Sequence, residues 1–151
     1  MFIAGEPAPK GSWRSMRSKS TGKQIVVPDN PKSKPWQRLV SLLVYSEYRF
    51  RPLVGAVRVS FEFLVHRPKR HYGTGRNANR LKASAPEYAI ECRGSGDLDK
   101  LVRGMLDAME GVLYDNDKQV ISFDAKREYS LDKTTGVMLR AFALEPEKES
   151  I

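Results

Sequence analysis

The chain predicts an α/β fold, α+β in content: a small mixed β-sheet flanked by two main helices, in one domain over 1–151. Three observations predict it. Ala56–Val65 alternates, with Val57, Val59, Phe61, Phe63 and Val65 on one face and Arg58, Ser60, Glu62 and Leu64 on the other, the period of a long strand in a sheet. Between Pro35 and Phe50, the residues Trp36, Leu39, Val40, Leu43, Val44 and Tyr48 recur at helical spacing. Leu98, Leu101, Val102, Met105, Leu106 and Met109 repeat that period. A chain of 151 residues is long enough to bury a single core.

From the N-terminus, Met1–Ala4 is a short apolar run suited to a strand. Pro7 and Pro9 rule out regular structure over Gly5–Gly11. Lys10, Arg14, Arg17, Lys19 and Lys23 then surround Trp13, either as a solvated basic loop or as an arm that contacts phosphates. Gln24–Val27 is a short strand, ended by Pro28-Asp29-Asn30-Pro31. Pro35 suits the first turn of the following helix, and Pro52 stops it. His66–Glu87 has six Lys or Arg before its first acid, including Arg67, Lys69 and Arg70, and no apolar period. A stretch of that length reads as a mobile basic loop or lid, able to clamp a nucleic-acid backbone.

Gly94-Ser95-Gly96 breaks the chain before the second helix and Gly111 ends it. Val120–Tyr129 and Gly136–Leu144 are strand candidates, and Asp132–Gly136 between them predicts a hairpin. Glu145–Ile151 is a polar tail.

Charge is distributed unevenly. Residues 1–96 carry 18 basic and 6 acidic side chains, whereas 97–151 carry 8 and 12. The densest acidic stretch is Asp97–Asp117, with Asp97, Asp99, Asp107, Glu110, Asp115 and Asp117 against Lys100 and Arg103. A basic body with an acidic focus suits an enzyme that holds a polyanion. Asp97 sits at the helix mouth, where carboxylates are favoured. Asp99, Arg103 and Asp107 share one helical face at i, i+4 and i+8 and can meet side by side. Each feature also has a purely structural reading: a cap, an ion-paired face, an Asp-Asn-Asp turn.

Three carboxylates brought together would need a cation to neutralise them. Mg²⁺ takes oxygen ligands and works with substrate phosphates, and it can activate water for attack on a phosphodiester. A calcium EF-hand is excluded: after Asp115-x-Asp117, Gln119, Val120 and Lys126 fill positions that need an acid, a glycine and a bidentate Glu. Gly73-Thr74-Gly75 has neither Walker A nor Rossmann spacing. Cys92 alone, with His66 and His71, builds neither a disulfide framework nor a Cys/His zinc site. No apolar run is long enough to span a membrane and no signal-peptide pattern opens the chain, so a cytoplasmic protein is expected.

The string Asp97-Leu98-Asp99-Lys100-Leu101-Val102-Arg103, then Asp107-Ala108-Met109, then Asn116-Asp117-Lys118-Gln119-Val120 resembles the RusA-like Holliday junction resolvases. That family's pattern is Asp-Leu-Asp-Asn-Leu-x-Lys, Asp-Ala, and Asp-Asp-x-Gln before a strand. The opening Gly5-x-Pro7-x-Pro9-Lys10 is similar as well. The resemblance implies a homodimeric endodeoxyribonuclease of phages and prophages, active in the bacterial cytoplasm on branched DNA in recombination and repair. It implies Mg²⁺, with Mn²⁺ as a substitute, held by Asp97, Asp99 and Asp117. Lys10, Arg14, Arg67, Lys69 and Arg70 are the expected phosphate contacts. Arg103 stands where the family has a catalytic Lys, and it keeps the charge without the ability to exchange a proton at neutral pH. Lys100 replaces the family's Asn and Asn116 the first Asp of its pair. A branched-DNA-binding protein without nuclease activity is the alternative, as is a nuclease with broader flap or fork specificity.

Overall fold

In the computed structural model the described residues are 1–28, 30–48, 51–92, 94 and 96–145. Asp29 of the expected turn, Arg49 and Phe50 at the end of the expected first helix, Ser95 of the glycine break, and residues 146–151 of the polar tail lie outside them. Eight elements follow in order: β1 (Phe2–Ala4), β2 (Trp13–Arg17), β3 (Gln24–Pro28), α1 (Ser33–Glu47), β4 (Val57–Val65), α2 (Leu98–Met109), β5 (Val120–Tyr129) and β6 (Gly136–Ala143). The fold is the expected one: two helices and a mixed four-stranded sheet, with a small two-stranded sheet beside them.

The main sheet runs β1-β6-β4-β5. β4 lies inside it, as its length and alternation require, antiparallel to β6 and parallel to β5. Val57, Val59, Phe61, Phe63 and Val65 are all buried, while Arg58 and Glu62 on the opposite face pair with Asp124 and Lys126. Both helices cover the buried face. Trp36, Val40 and Val44 of α1 and Leu101, Val102, Met105, Ala108 and Met109 of α2 join β4, Ile3, Val137 and Leu139 in one core. Each large apolar side chain so buried contributes about 1.5–3 kcal/mol. Ser41 Oγ, 2.6 Å from the Ala108 carbonyl, ties one helix to the other.

Three sequence expectations are corrected. β5 and β6 do not form a hairpin, because β4 lies between them. Both strands end or begin beside Val65 and Leu64 at one end of β4. The connecting segment crosses that end, a span of two strand spacings or about 9.6 Å. The basic stretch after Gly11 contains a strand: β2 pairs antiparallel with β3 from Trp13↔Pro28 to Arg17↔Gln24. Finally, His66–Glu87 has local structure, with 3-10 turns at Lys69–His71 and Gly75–Asn77 and a bridge from Tyr72 to Leu81.

A second, smaller core fastens this basic segment to the sheet. Val65, Ala89 and Tyr129 are buried together. His71, 4% exposed, packs edge-on against Tyr129 and lies 2.7 Å from Glu91 Oε2 through Nε2. Tyr129 in turn donates its hydroxyl proton to the Glu91 carbonyl, and the Arg67 guanidinium lies over the Tyr129 ring at 4.1 Å.

Candidate active site

α2 presents two faces because its sequence has two. Leu101, Val102, Gly104, Met105, Ala108 and Met109 are buried, whereas Asp99, Lys100, Arg103 and Asp107 are exposed. The expected Asp99–Arg103–Asp107 ladder is not formed. Asp107 pairs with Lys10, and among the described residues Asp99 and Arg103 make no ion pair. Asp97 occupies the N-cap position with no side-chain cap bond. Its carboxylate instead reaches Lys100 Nζ at 3.2 Å and is 73% exposed. It therefore does not serve as the helix's cap and stands open to a ligand.

The approach to Asp97 is fixed from two sides. Gly96 has φ +62, and a Cβ there would lie 2.7 Å from Pro9 Cγ. Only glycine allows both the backbone turn and that contact. The Pro7–Lys10 strap then follows α2, with the Lys10 amide donating to the Lys100 carbonyl at 3.0 Å. From the other side, Arg127 of β5 donates Nε to the Ala89 carbonyl at 3.0 Å and a terminal nitrogen to the Gly96 carbonyl at 2.5 Å. The sequence reading missed Arg127. Its signal was a charged residue on the inward side of a strand, in register with buried Phe63.

Asp117 begins a 3-10 turn, Asp117–Gln119, just before β5, and is exposed. Asn116 is the N-cap of that turn and accepts from the Lys118 amide at 3.0 Å. Its amide thus serves the turn, a task Asn performs as well as Asp. Gln119 completes a capping box. Its Oε1 accepts from the Asp115 and Asn116 amides, and its Nε2 donates to the carbonyls of Leu53 and Gly55, each at 3.0 Å. Asn-x-x-Gln is the capping-box spacing, so this organising role was present in the sequence and passed over.

One chain does not bring the three aspartates together. Asp97 and Asp99 lie at the first turn of α2, and Asp117 lies beyond its last. A helix the length of α2 spans about 18 Å. The sheet gives a second measure: Gly96 is held at Arg127, whereas Asp117 precedes Val120, and those two strand residues are about 23 Å apart. Among the described residues no group of three His, Cys, Asp or Glu is placed to hold a metal ion. Among the described residues, Asp97, Asp99 and Asp117 of one chain therefore do not form a three-carboxylate metal site.

The acids at the far end of α2 form their own field. Tyr114, fully buried, donates its hydroxyl proton to the Leu106 carbonyl at 2.8 Å. Burial pushes its pKa well above the ordinary tyrosine value, and Glu110, Asp117 and Asp107 push it further the same way.

Of the expected phosphate contacts, several already have structural partners. Lys10 pairs with Asp107, Arg70 with Glu91, and Arg67 donates to the Pro86 carbonyl. Arg14 lies on exposed β2, and Lys69 makes no ion pair among the described residues. Lys69 and Arg70 share one 3-10 turn, while Lys10, whose amide bonds α2 at Lys100, and Arg14 flank Trp13 in the sequence.

Residues 5–140 match the family Endodeoxyribonuclease RusA. The chain belongs to the RusA endodeoxyribonuclease family. It is also 29% identical over 138 residues to the uncharacterized protein YqaN of Bacillus subtilis (strain 168), covering 91% of this chain and 92% of that protein. The RusA match takes in both ends of α2, the Pro7–Lys10 strap, the Asn116–Gln119 turn and Arg127. No helix among the described residues is long and apolar enough to cross a membrane.

Proposed function

We propose that this RusA-family protein is a divalent-metal-dependent endodeoxyribonuclease that cuts branched DNA, four-way junctions foremost, in recombination and repair. The reaction is phosphodiester hydrolysis: water adds to phosphorus and one P–O bond breaks. The observation that carries the reading is the state of Asp97, a carboxylate at a helix N-terminus that makes no cap bond and stands open beside a basic surface. Asp99 lies one turn-edge away, and Arg103 supplies a fixed positive charge on the same exposed face. Lys10, Arg14, Arg67, Lys69 and Arg70 are the proposed phosphate contacts.

Asp97, Asp99 and Asp117 are the proposed ligands of Mg²⁺ or Mn²⁺, and the working unit is a homodimer. β5 is an edge strand with Ile121 65% and Phe123 53% exposed. Bare apolar edges of this kind invite pairing. A second copy turned end for end along β5 would set Asp97 and Asp99 of one protomer against the partner's Asp117. Two-fold closure repeats that arrangement twice, which suits a substrate with two strands to cut. A gene carried by a phage or prophage, and action in the bacterial cytoplasm, complete the proposal.

The direct test incubates the protein with a labelled four-way junction and a matched linear duplex, first in Mg²⁺ and then in EDTA. Paired nicks on the junction alone, lost in EDTA, are expected. Cleavage that ignores branching, or that persists in EDTA, would contradict it. Arg103 and Asn116, where the family has Lys and Asp, favour one second reading: a protein that binds branches without cutting them. Tight junction binding with no cleavage in either metal would establish that instead.

A further inference from the structure

β2 and β3 form a ribbon that stands apart from the main core. Every residue of β2 is exposed, and Ile25 and Val26 of β3 are exposed at 40% and 62%. A lone two-stranded hairpin with both faces bare is marginal in water, so this one needs something to bind. Trp13 and Val26 share one face, since Trp13 pairs with Pro28 and Ser15 with Val26. Trp13 is itself 62% exposed, with Lys34 Nζ 5.7 Å from its ring centroid. Lys10, Arg14, Arg17, Lys19 and Lys23 are spread along residues 10–28, which hold no acid.

The ribbon is firmly rooted and close to the acidic residues of α2. Gly11 approaches Asn30 so closely that a Cβ would lie 2.6 Å from its amide nitrogen. Asn30 Nδ2 also donates to the Pro9 carbonyl. Pro9 is the residue that packs on Gly96, next to Asp97. At its tip the Ser18 amide donates to the Lys23 carbonyl and Arg17 Nε to the Gly22 carbonyl, both at 2.8 Å. The arm therefore rises from the mouth of α2 and extends about 17 Å along β2.

We propose that this ribbon is the branch-recognition arm: its cations hold phosphates while Trp13, flanked by Val26, stacks on bases left exposed at a DNA branch point. The proposal rests on the nuclease reading above and adds what selects the branch. A fully paired duplex keeps its bases stacked inside, whereas a branch point offers bare base faces, and aromatic stacking on such faces tolerates any sequence. Charge decides against a second ribbon as the occupant, because two such arms would oppose cation to cation with no acid on either.

The test measures equilibrium binding in EDTA, so that cleavage plays no part. Trp13→Ala should weaken four-way-junction binding by about ten-fold and leave binding to the matched duplex nearly unchanged. Val26→Ser should do the same to a smaller degree, and Trp13→Phe should retain most of the affinity. Emission from Trp13, obtained by subtracting the Trp13→Phe spectrum, should be quenched by the junction and not by the duplex. Equal losses on both DNAs would reduce the ribbon to an electrostatic arm and overturn the proposal. So would unchanged binding, or a Trp13→Ala protein that sediments as a smaller species, which would assign the ribbon to a second copy. A wild-type protein that binds junction and duplex alike would overturn this proposal, whereas the nuclease reading stands or falls on junction-selective cleavage in Mg²⁺. Selective, Trp13-dependent binding without cleavage would remove only the nuclease.

Discussion

Gln119 satisfies its whole amide on backbone groups, two amides into Oε1 and two carbonyls from Nε2. Replacing it by Ala leaves these groups without their partners, at a cost of about 1–3 kcal/mol, measurable by urea denaturation. The same variant should lose cleavage, because the turn that places Asp117 is released. Asp99→Asn should behave differently. On the proposed reading it removes an exposed negative charge that would face phosphate, so binding to a junction in EDTA should hold or tighten while cleavage in Mg²⁺ should collapse. If Asp99→Asn cut as fast as wild type, Asp99 would not be a working group. These residues differ in how legible they were. Asp97, Asp99 and Asp117 were marked by the family pattern that their segments resemble. Gln119 was visible as a capping-box partner, although its bonds to Leu53 and Gly55 depend on a loop that folds back from far along the chain. Arg127 gave only a charge on an inward strand position, and nothing local says which carbonyls it finds.

Periodicity was a good guide to elements that build their own pattern and a poor guide to pairing. α1, β4 and α2 each carry a repeat long enough to define them, and each lies within a residue or two of its expected limits, apart from the end of α1. β5 and β6 were also found as strands, but the short polar segment between them looks like any hairpin loop. β4 carries backbone N–H and C=O groups along both edges, and β5 pairs with one edge and β6 with the other. β2 has little strand pattern of its own and is held by β3. The clamp from β5 to the segment before α2 makes a prediction at this scale. Arg127→Gln should speed hydrogen exchange around 89–97 and slow cleavage, with only a modest fall in Tm. The basic segment after β4 makes another. Hydrogen bonds from His71 and then Arg70 hold the Glu91 carboxyl below its usual range. A lowered folded pKa stabilises the fold above the unfolded value, about 4.3 for Glu, and that stabilisation is lost as pH falls through the folded value. Protection of residues 66–92 from proteolysis should therefore fade in acid below the ordinary carboxylate range. Glu91→Gln should flatten that dependence.

Across the whole molecule, charge and shape carry one message. A basic N-terminal two-thirds and an acidic remainder were plain in the sequence, and so was a family pattern running through both. What the sequence did not reveal is that α2 separates Asp97 and Asp99 from Asp117, the proposed metal ligands, by its full length. Spacing along the chain suggested one cluster, but a helix turns a short sequence separation into about 18 Å. On the proposed reading, an enzyme that needs all three finds the third on another copy, with the β5 edge as the proposed pairing surface. Co-expression of Asp99→Asn and Asp117→Asn chains under separate tags tests this most directly. A mixed dimer would contain one site with both substitutions and one with neither, so purified mixed dimers should regain Mg²⁺-dependent junction nicking and about half the Mn²⁺ binding of wild type. Mixed dimers as inactive as either parent, or a wild-type protein that cuts and binds Mn²⁺ while sedimenting as a monomer, would contradict a site shared between two chains.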